Sequence, residues 1–210
     1  MNKIEELVER YPALAEQKDN VEMAFNIIKE SYEQGHKLLI AGNGGSAADS
    51  NHIVGELMKS FELKRKIDDD LYKKLEESEL YKEELLTSLQ GALPTISLNN
   101  HESLNTAFLN DVNPTATFAQ QIVGYGNTGD VFLGISTSGN SKNVVMAAIV
   151  AKAKGLKVIG LTGAKDSDLK KFADITIQAP ETRTFKIQEY HLPIYHAICL
   201  SLEDYFFGNK

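Results

Sequence analysis

Five short apolar runs punctuate the chain: KLLIAG, PTISL, DVFLGIS, LKVIGLTG and DITIQAP. Each ends in a polar turn and is followed by a segment whose apolar residues recur at helical spacing. A strand that is apolar throughout needs cover on both faces of its sheet, and parallel strands need a crossover between them, usually a helix. The alternation therefore predicts βαβ units in a three-layer α/β fold, with a five-stranded, mostly parallel sheet flanked by helices.

The rest of the pattern fits around that sheet. Residues 1–34 read as N-terminal helices (Ile4, Leu7 and Val8, then Met23, Phe25, Ile27 and Ile28), with a break near Tyr11 and Pro12. Residues 62–93 read as a helical insertion. Within it, 68–90 is a charged helical stretch whose Leu71, Leu75, Leu80 and Leu85 form an apolar stripe. A long last helix runs from Thr184 to about Phe206, with Pro193 inside it. The length suits one domain, 1–210, with a sizeable core.

The net charge of −7 argues against broad binding to nucleic acid, which needs clustered Lys and Arg. No apolar run approaches the ~20 residues that span a bilayer, which argues against a membrane protein. The charged N-terminus does not resemble a secretory signal, and the single Cys199 reads as a buried thiol. These features point to the cytoplasm.

Ligands of open α/β sheets sit beyond the carboxyl ends of the strands. Two polar loops fall there: GNGGS (Gly42–Ser46) after the first run and STSGNS (Ser136–Ser141) after DVFLGI. A glycine-bearing turn into a helix offers free backbone N–H groups and the positive end of the helix dipole. Ser136, Thr137, Ser138 and Ser141 add hydroxyl donors, so an anion such as phosphate fits. Neither a Walker pattern nor GxGxxG is present, which weakens nucleotide readings.

His52 and Glu56 are four apart on the helix that follows GNGGS, so they share a face. That spacing suits a shared metal ion, or a base beside its hydrogen-bond partner. Near the C-terminus Gln188, His191 and His196 lie on one helix, and spacing alone does not choose between the two histidines.

GNGGSAADSNHIVGEL, GISTSGNSKNVV and IQEYHLPIYH, in this order, resemble the sugar isomerase (SIS) domain family, and within it the phosphoheptose isomerases. The resemblance runs from about Lys37 to Glu203. It implies a flavodoxin- or Rossmann-like SIS fold and a homotetramer with active sites between subunits. It implies a phosphorylated sugar as substrate, with its phosphate on Ser136, Thr137, Ser138 and Ser141. Asn43, Gly44, Ser46, Thr184 and Gln188 would contact sugar or phosphate. The family's catalytic pair falls on Glu56 as base and His196 as acid. Some members bind Zn2+, with ligands matching His52, Glu56, Gln188 and His196.

The implied reaction converts sedoheptulose 7-phosphate to D-glycero-D-manno-heptose 7-phosphate through an enediol. The competing expectation is a non-catalytic sugar-phosphate-binding regulator or a protein associated with a replication initiator. Retention of Glu56, Gln188 and His196 favours the enzyme. The chain departs from the family in three places. Lys59-Ser60 replaces a Gly-Arg pair, with Lys59 and Lys64 as nearby cations. His101 stands where the family has an aspartate. The insertion between Phe61 and Leu93 has no counterpart in the compact enzymes.

Overall fold

Leu38 pairs in parallel with Val131, and Ile40 with Leu133, so two strands far apart in sequence lie side by side at the middle of the molecule. These are β1 (Leu38–Ala41) and β3 (Val131–Ile135) of a computed structural model that describes residues 2–208. Met1, Asn209 and Lys210, which the single-domain expectation included, lie outside the described residues. Three more strands complete the sheet: β2 (Thr95–Ser97), β4 (Lys157–Thr162) and β5 (Ile175–Gln178). The order is β2-β1-β3-β4-β5 and every pairing is parallel. This is the five-stranded three-layer α/β fold expected from the alternation.

Strand side chains alternate between the two faces, and the core divides accordingly. Leu38, Ile40, Val131, Leu133, Ile135 and Ile159 join one apolar layer. It is covered by α1 (Lys3–Arg10), α2 (Lys18–Glu33), α3 (Gly45–Met58) and α10 (Thr184–Phe207). Leu39, Ala41, Phe132 and Val158 join the other, under α7 (Thr117–Tyr125), α8 (Lys142–Ala153) and α9 (Asp168–Phe172). A one-residue slip in any strand would exchange its two layers, so the apolar runs fix register as well as position.

The break between α1 and α2 is a 3-10 turn, Pro12–Gln17, with proline at its start. Cys199 is buried, as expected. His36 stands just before β1. It is half-buried, and its Nδ1 lies 3.8 Å from the Asp130 carboxylate.

Residues 68–90 depart from the single charged helix expected there. They form two short helices, α4 (Asp69–Glu76) and α5 (Lys82–Ser88), and neither has a buried residue. The turn between them holds Tyr81 at a left-handed φ of 54°. Leu71 and Leu80 are exposed rather than packed as a stripe. The leucines have the right period, but α4 and α5 lie against each other without burying a residue, and packing is what usually holds such helices. The remaining helix, α6 (Glu102–Asp111), follows β2.

Candidate active site

In this strand order the direction of the chain reverses between β1 and β3, and the crevice beyond their carboxyl ends is where such sheets take ligands. The GNGGS and STSGNS loops leave from those two ends. Asn43 and Asn143 bridge them, each side-chain amide donating to the other's oxygen at 2.9 Å. Asn99, at the end of β2, donates to the Gly42 carbonyl at 2.7 Å and ties in the third strand.

The serine loop is closed on itself. Ser136 and Ser141 hydroxyls lie 2.9 Å apart, and the Gly139 N–H donates to Ser136 Oγ at 3.1 Å. Gly139 has φ +65°, and a Cβ there would overlap the Ser167 side chain, so glycine is required. Ser141 is the N-cap of α8 and makes no side-chain capping bond. Its hydroxyl meets Ser136, and the first N–H groups of α8 follow directly on the loop, an arrangement that suits an anion. Thr137, Ser138 and Thr184 line a neighbouring cavity of ≈ 280 Å³, together with Lys165.

The expected acid–base residues assemble on α3 and α10. His52 Nε2 lies 3.1 Å from Glu56 Oε1. The Glu56 side chain is only 13% exposed, against 42% for His52. The His52 and His196 rings meet edge to face with centroids 5.0 Å apart. His196 Nε2 is buried without a hydrogen-bond partner, an unsatisfied polar atom that the rest of the chain does not account for. Burial, and then the nearby His52, push the His196 pKa below the usual imidazole value, while Glu56 pulls it up.

The structure separates the two histidines that spacing could not. His191 is fully buried in the core, with its Nε2 3.2 Å from the Thr162 carbonyl oxygen. Gln188 lies against the first loop: a Cβ on Gly45 would overlap its side-chain amide. Gly45 therefore lets α3 start in contact with α10, and links the loop to the helix carrying His196.

Residues outside the expected set also converge here. The Tyr195 hydroxyl lies 2.9 Å from His52 Nδ1 and donates to Asp49 Oδ1 at 3.3 Å. Asp49 was legible in principle, because it stands three before His52 on the same helix face. Tyr195 was not, since an aromatic in an apolar helix reads as core. Arg65 Nη1 and Nη2 donate to the Leu57 and Glu56 carbonyls, each at 2.7 Å, and so close the end of α3 that carries Glu56. Of the cations considered for the missing arginine, Lys59 lies 3.5 Å from Glu56 Oε2, whereas Lys64 lines a cavity beside the insertion. His101 stacks on Tyr125 with its Nε2 buried and unpaired.

For the implied Zn2+ the donor types are suitable, but the arrangement is not that of a formed metal site. His52 and Glu56 are hydrogen-bonded to each other, and among the described residues no group of three His, Cys, Asp or Glu is arranged to hold a metal ion. Among the described residues no helix is long and apolar enough to cross a membrane.

Comparison with known proteins gives the family. SIS domain family models match residues 104–203 and 1–92. The chain is 38% identical to the phosphoheptose isomerase of Aneurinibacillus thermoaerophilus, over 86% of this chain and 79% of that one. It is 31% identical to that of Akkermansia muciniphila, over 99% and 97%. The solved phosphoheptose isomerase of Neisseria gonorrhoeae superposes with a TM-score of 0.75 at 27% identity, covering 95% of this chain and 94% of that one. The chain belongs to the SIS domain family and stands among its phosphosugar isomerases.

Proposed function

We propose that the chain converts sedoheptulose 7-phosphate to D-glycero-D-manno-heptose 7-phosphate, with Glu56 as base and His196 as acid. The observation that carries this reading is the largely buried Glu56 carboxylate beside His52 and the bare, buried Nε2 of His196. An aldose–ketose interconversion needs one group to move a carbon-bound proton and another to move protons on oxygen. Glu56 takes a proton from C1 while His196 gives one to O2, which forms the enediol. Glu56 then returns its proton to C2, and His196 recovers one from O1. The net change carries one hydrogen from C1 to C2 and one from O1 to O2, so atoms and electrons balance.

The phosphate sits on Ser136, Thr137, Ser138 and Ser141 at the start of α8, with Thr184 alongside. Asn43, Gly44, Ser46 and Gln188 frame the sugar. Binding energy from the phosphate, far from the reacting carbons, holds C1 and C2 against Glu56. Zn2+ on His52, Glu56, Gln188 and His196 and a homotetramer completing the site are parts of the same proposal.

The test is incubation with sedoheptulose 7-phosphate, with and without added zinc, followed by NMR for the heptose 7-phosphate. Turnover that Glu56→Gln abolishes, with ligand binding kept, is the expected result. A wild type inactive in both conditions overturns the proposal, and an active Glu56→Gln variant removes Glu56 as the base. Light scattering after size exclusion tests the tetramer.

A further inference from the structure

We propose that Lys165 is a substrate-binding residue for this reaction, the cation that neutralises the phosphate held by the serine loop. The inference rests on the phosphate seat given above and adds the charge which that seat lacks. Ser136, Thr137, Ser138 and Ser141 are neutral donors, and the N-terminus of α8 contributes only about half a unit of positive charge. A phosphate monoester carries about −1.5 to −2 at pH 7. A lysine ammonium serves as a point charge for such a group.

The fold brings Lys165 to this place and holds it there. It follows β4 in the segment 163–169, which is tied to the serine loop at both ends. The Gly163 N–H donates to the Thr137 carbonyl at 3.1 Å. The Asp168 N–H donates to Asn140 Oδ1 at 2.9 Å, and the Leu169 N–H to the Gly139 carbonyl at 3.0 Å. Two further bonds fix the middle of the segment. The Ala164 N–H donates to the Glu181 carbonyl at 3.0 Å, and Gln178 Nε2 donates to the carbonyl of Lys165 itself at 3.3 Å. Lys165 thus lines one cavity with Thr137, Ser138 and Thr184, and it is the one cation among the residues lining it. Two carboxylates line the same cavity, and each has its own lysine outside it. Asp166 lies 3.9 Å from Lys170 Nζ, and Glu181 lies 3.2 Å from Lys186 Nζ. Lys165 is exposed, and among the described residues it forms no ion pair, so its charge is uncommitted.

The experiment compares wild type with Lys165→Met, which removes the charge and keeps most of the stem, and with Lys165→Arg. Lys171→Met is the control: Lys171 is an exposed lysine of α9 that does not line the cavity. Steady-state kinetics on sedoheptulose 7-phosphate are paired with calorimetric titration of inorganic phosphate, which reads the seat without turnover. Lys165→Met is expected to raise KM and the phosphate Kd together, by about 5- to 20-fold, the scale of an exposed charge-assisted contact. kcat should stay within about twofold, because the lost contact binds substrate and transition state alike. Added salt weakens phosphate binding to wild type, and that dependence should be shallower in Lys165→Met. Lys165→Arg should recover most of the affinity. A merely structural residue would move the thermal midpoint and leave the salt dependence alone. Lys165→Met with KM and phosphate Kd within twofold of wild type overturns the inference. An equal loss in Lys171→Met also overturns it, since the effect then belongs to the general field of the surface. A wild type that binds phosphate but turns nothing over sinks the reaction, while the titration still decides Lys165. A wild type that binds no phosphate removes the seat, and Lys165 with it.

Discussion

Arg65 Nε and Glu203 Oε1 meet at 2.7 Å with both side chains closed off from solvent, 0% and 1% exposed. Glu203 also accepts from the backbone N–H groups of Phe61, Glu62 and Leu63, at 2.8, 2.8 and 3.1 Å. One carboxylate on α10 thus holds the loop that leaves α3, and Arg65 carries the connection back to the Glu56 carbonyl. Burial pushes the Glu203 carboxyl up, but the backbone donors and Arg65 outweigh it and hold it below the usual value.

Removing one partner leaves a buried charge without compensation, which costs about 3–5 kcal/mol. Glu203→Ala is expected to lose that much in urea unfolding at pH 7. Replacing both residues by apolar ones of similar size should cost much less. The Glu203 contribution is present above the ordinary carboxylate pKa and is lost as pH falls through the lowered folded value. A Glu203→Ala protein as stable as wild type would show that the pair does not hold the loop.

His191 gives linkage of the same sign for a different reason. Burial lowers its pKa to about 4 from an ordinary 6.5, although Thr162 opposes this. The unfolded chain takes up a proton below about pH 6.5, while the folded chain does so only near 4. The contribution of His191 is therefore complete above 6.5 and falls as pH drops toward 4, at ~1.4 kcal/mol per unit. Between pH 7 and pH 5 wild type should lose about 2 kcal/mol from this group, and His191→Gln should lack that part of the slope. Equal slopes in paired urea titrations would reject the assignment.

Gly45 offers a test of the contact between the two halves of the site. A methyl group there meets the end of the Gln188 side chain, which is flexible enough to move aside. Gly45→Ala should keep the fold, and its thermal midpoint should shift by only a few degrees. Displacing Gln188 is expected to lower kcat/KM by about tenfold or more. Full activity in this variant would mean that Gln188 does not need its present place against the first loop.

The parts of this molecule that were legible in the sequence share a local signature. Strands covered on both faces are apolar throughout, so β1, β3 and β4 announce themselves. His52 and Glu56 were paired by helical period alone. Arg65 and Glu203 were not legible, because they are 138 residues apart and the KRK run reads as solvated surface. Tyr195 was hidden for a related reason: its helix is apolar on several sides, and only tertiary packing decides which aromatic meets a polar group. The insertion shows the reverse error. Its leucines recur at helical spacing, but periodicity describes a face and not whether anything covers it.

That error leads to a further prediction. The Gly91 N–H donates to the Arg65 carbonyl at 3.3 Å, so the chain leaves the body and returns to it at nearly the same place. Between those points α4 and α5 bury no residue, and the insertion's Gln90 reaches the body by accepting from the Ser60 N–H at 2.8 Å. Replacing residues 69–88 by a short Gly-Ser linker removes no core side chain and keeps Gln90. Shortening a surface connection also costs little in loop entropy. The shortened protein should unfold within about 1 kcal/mol of wild type, the range of changes that touch no core feature. A much larger loss would mean that the exposed leucines Leu71 and Leu80 are covered in solution. Sedimentation of the shortened and intact proteins would then show whether a second copy of the chain covers them.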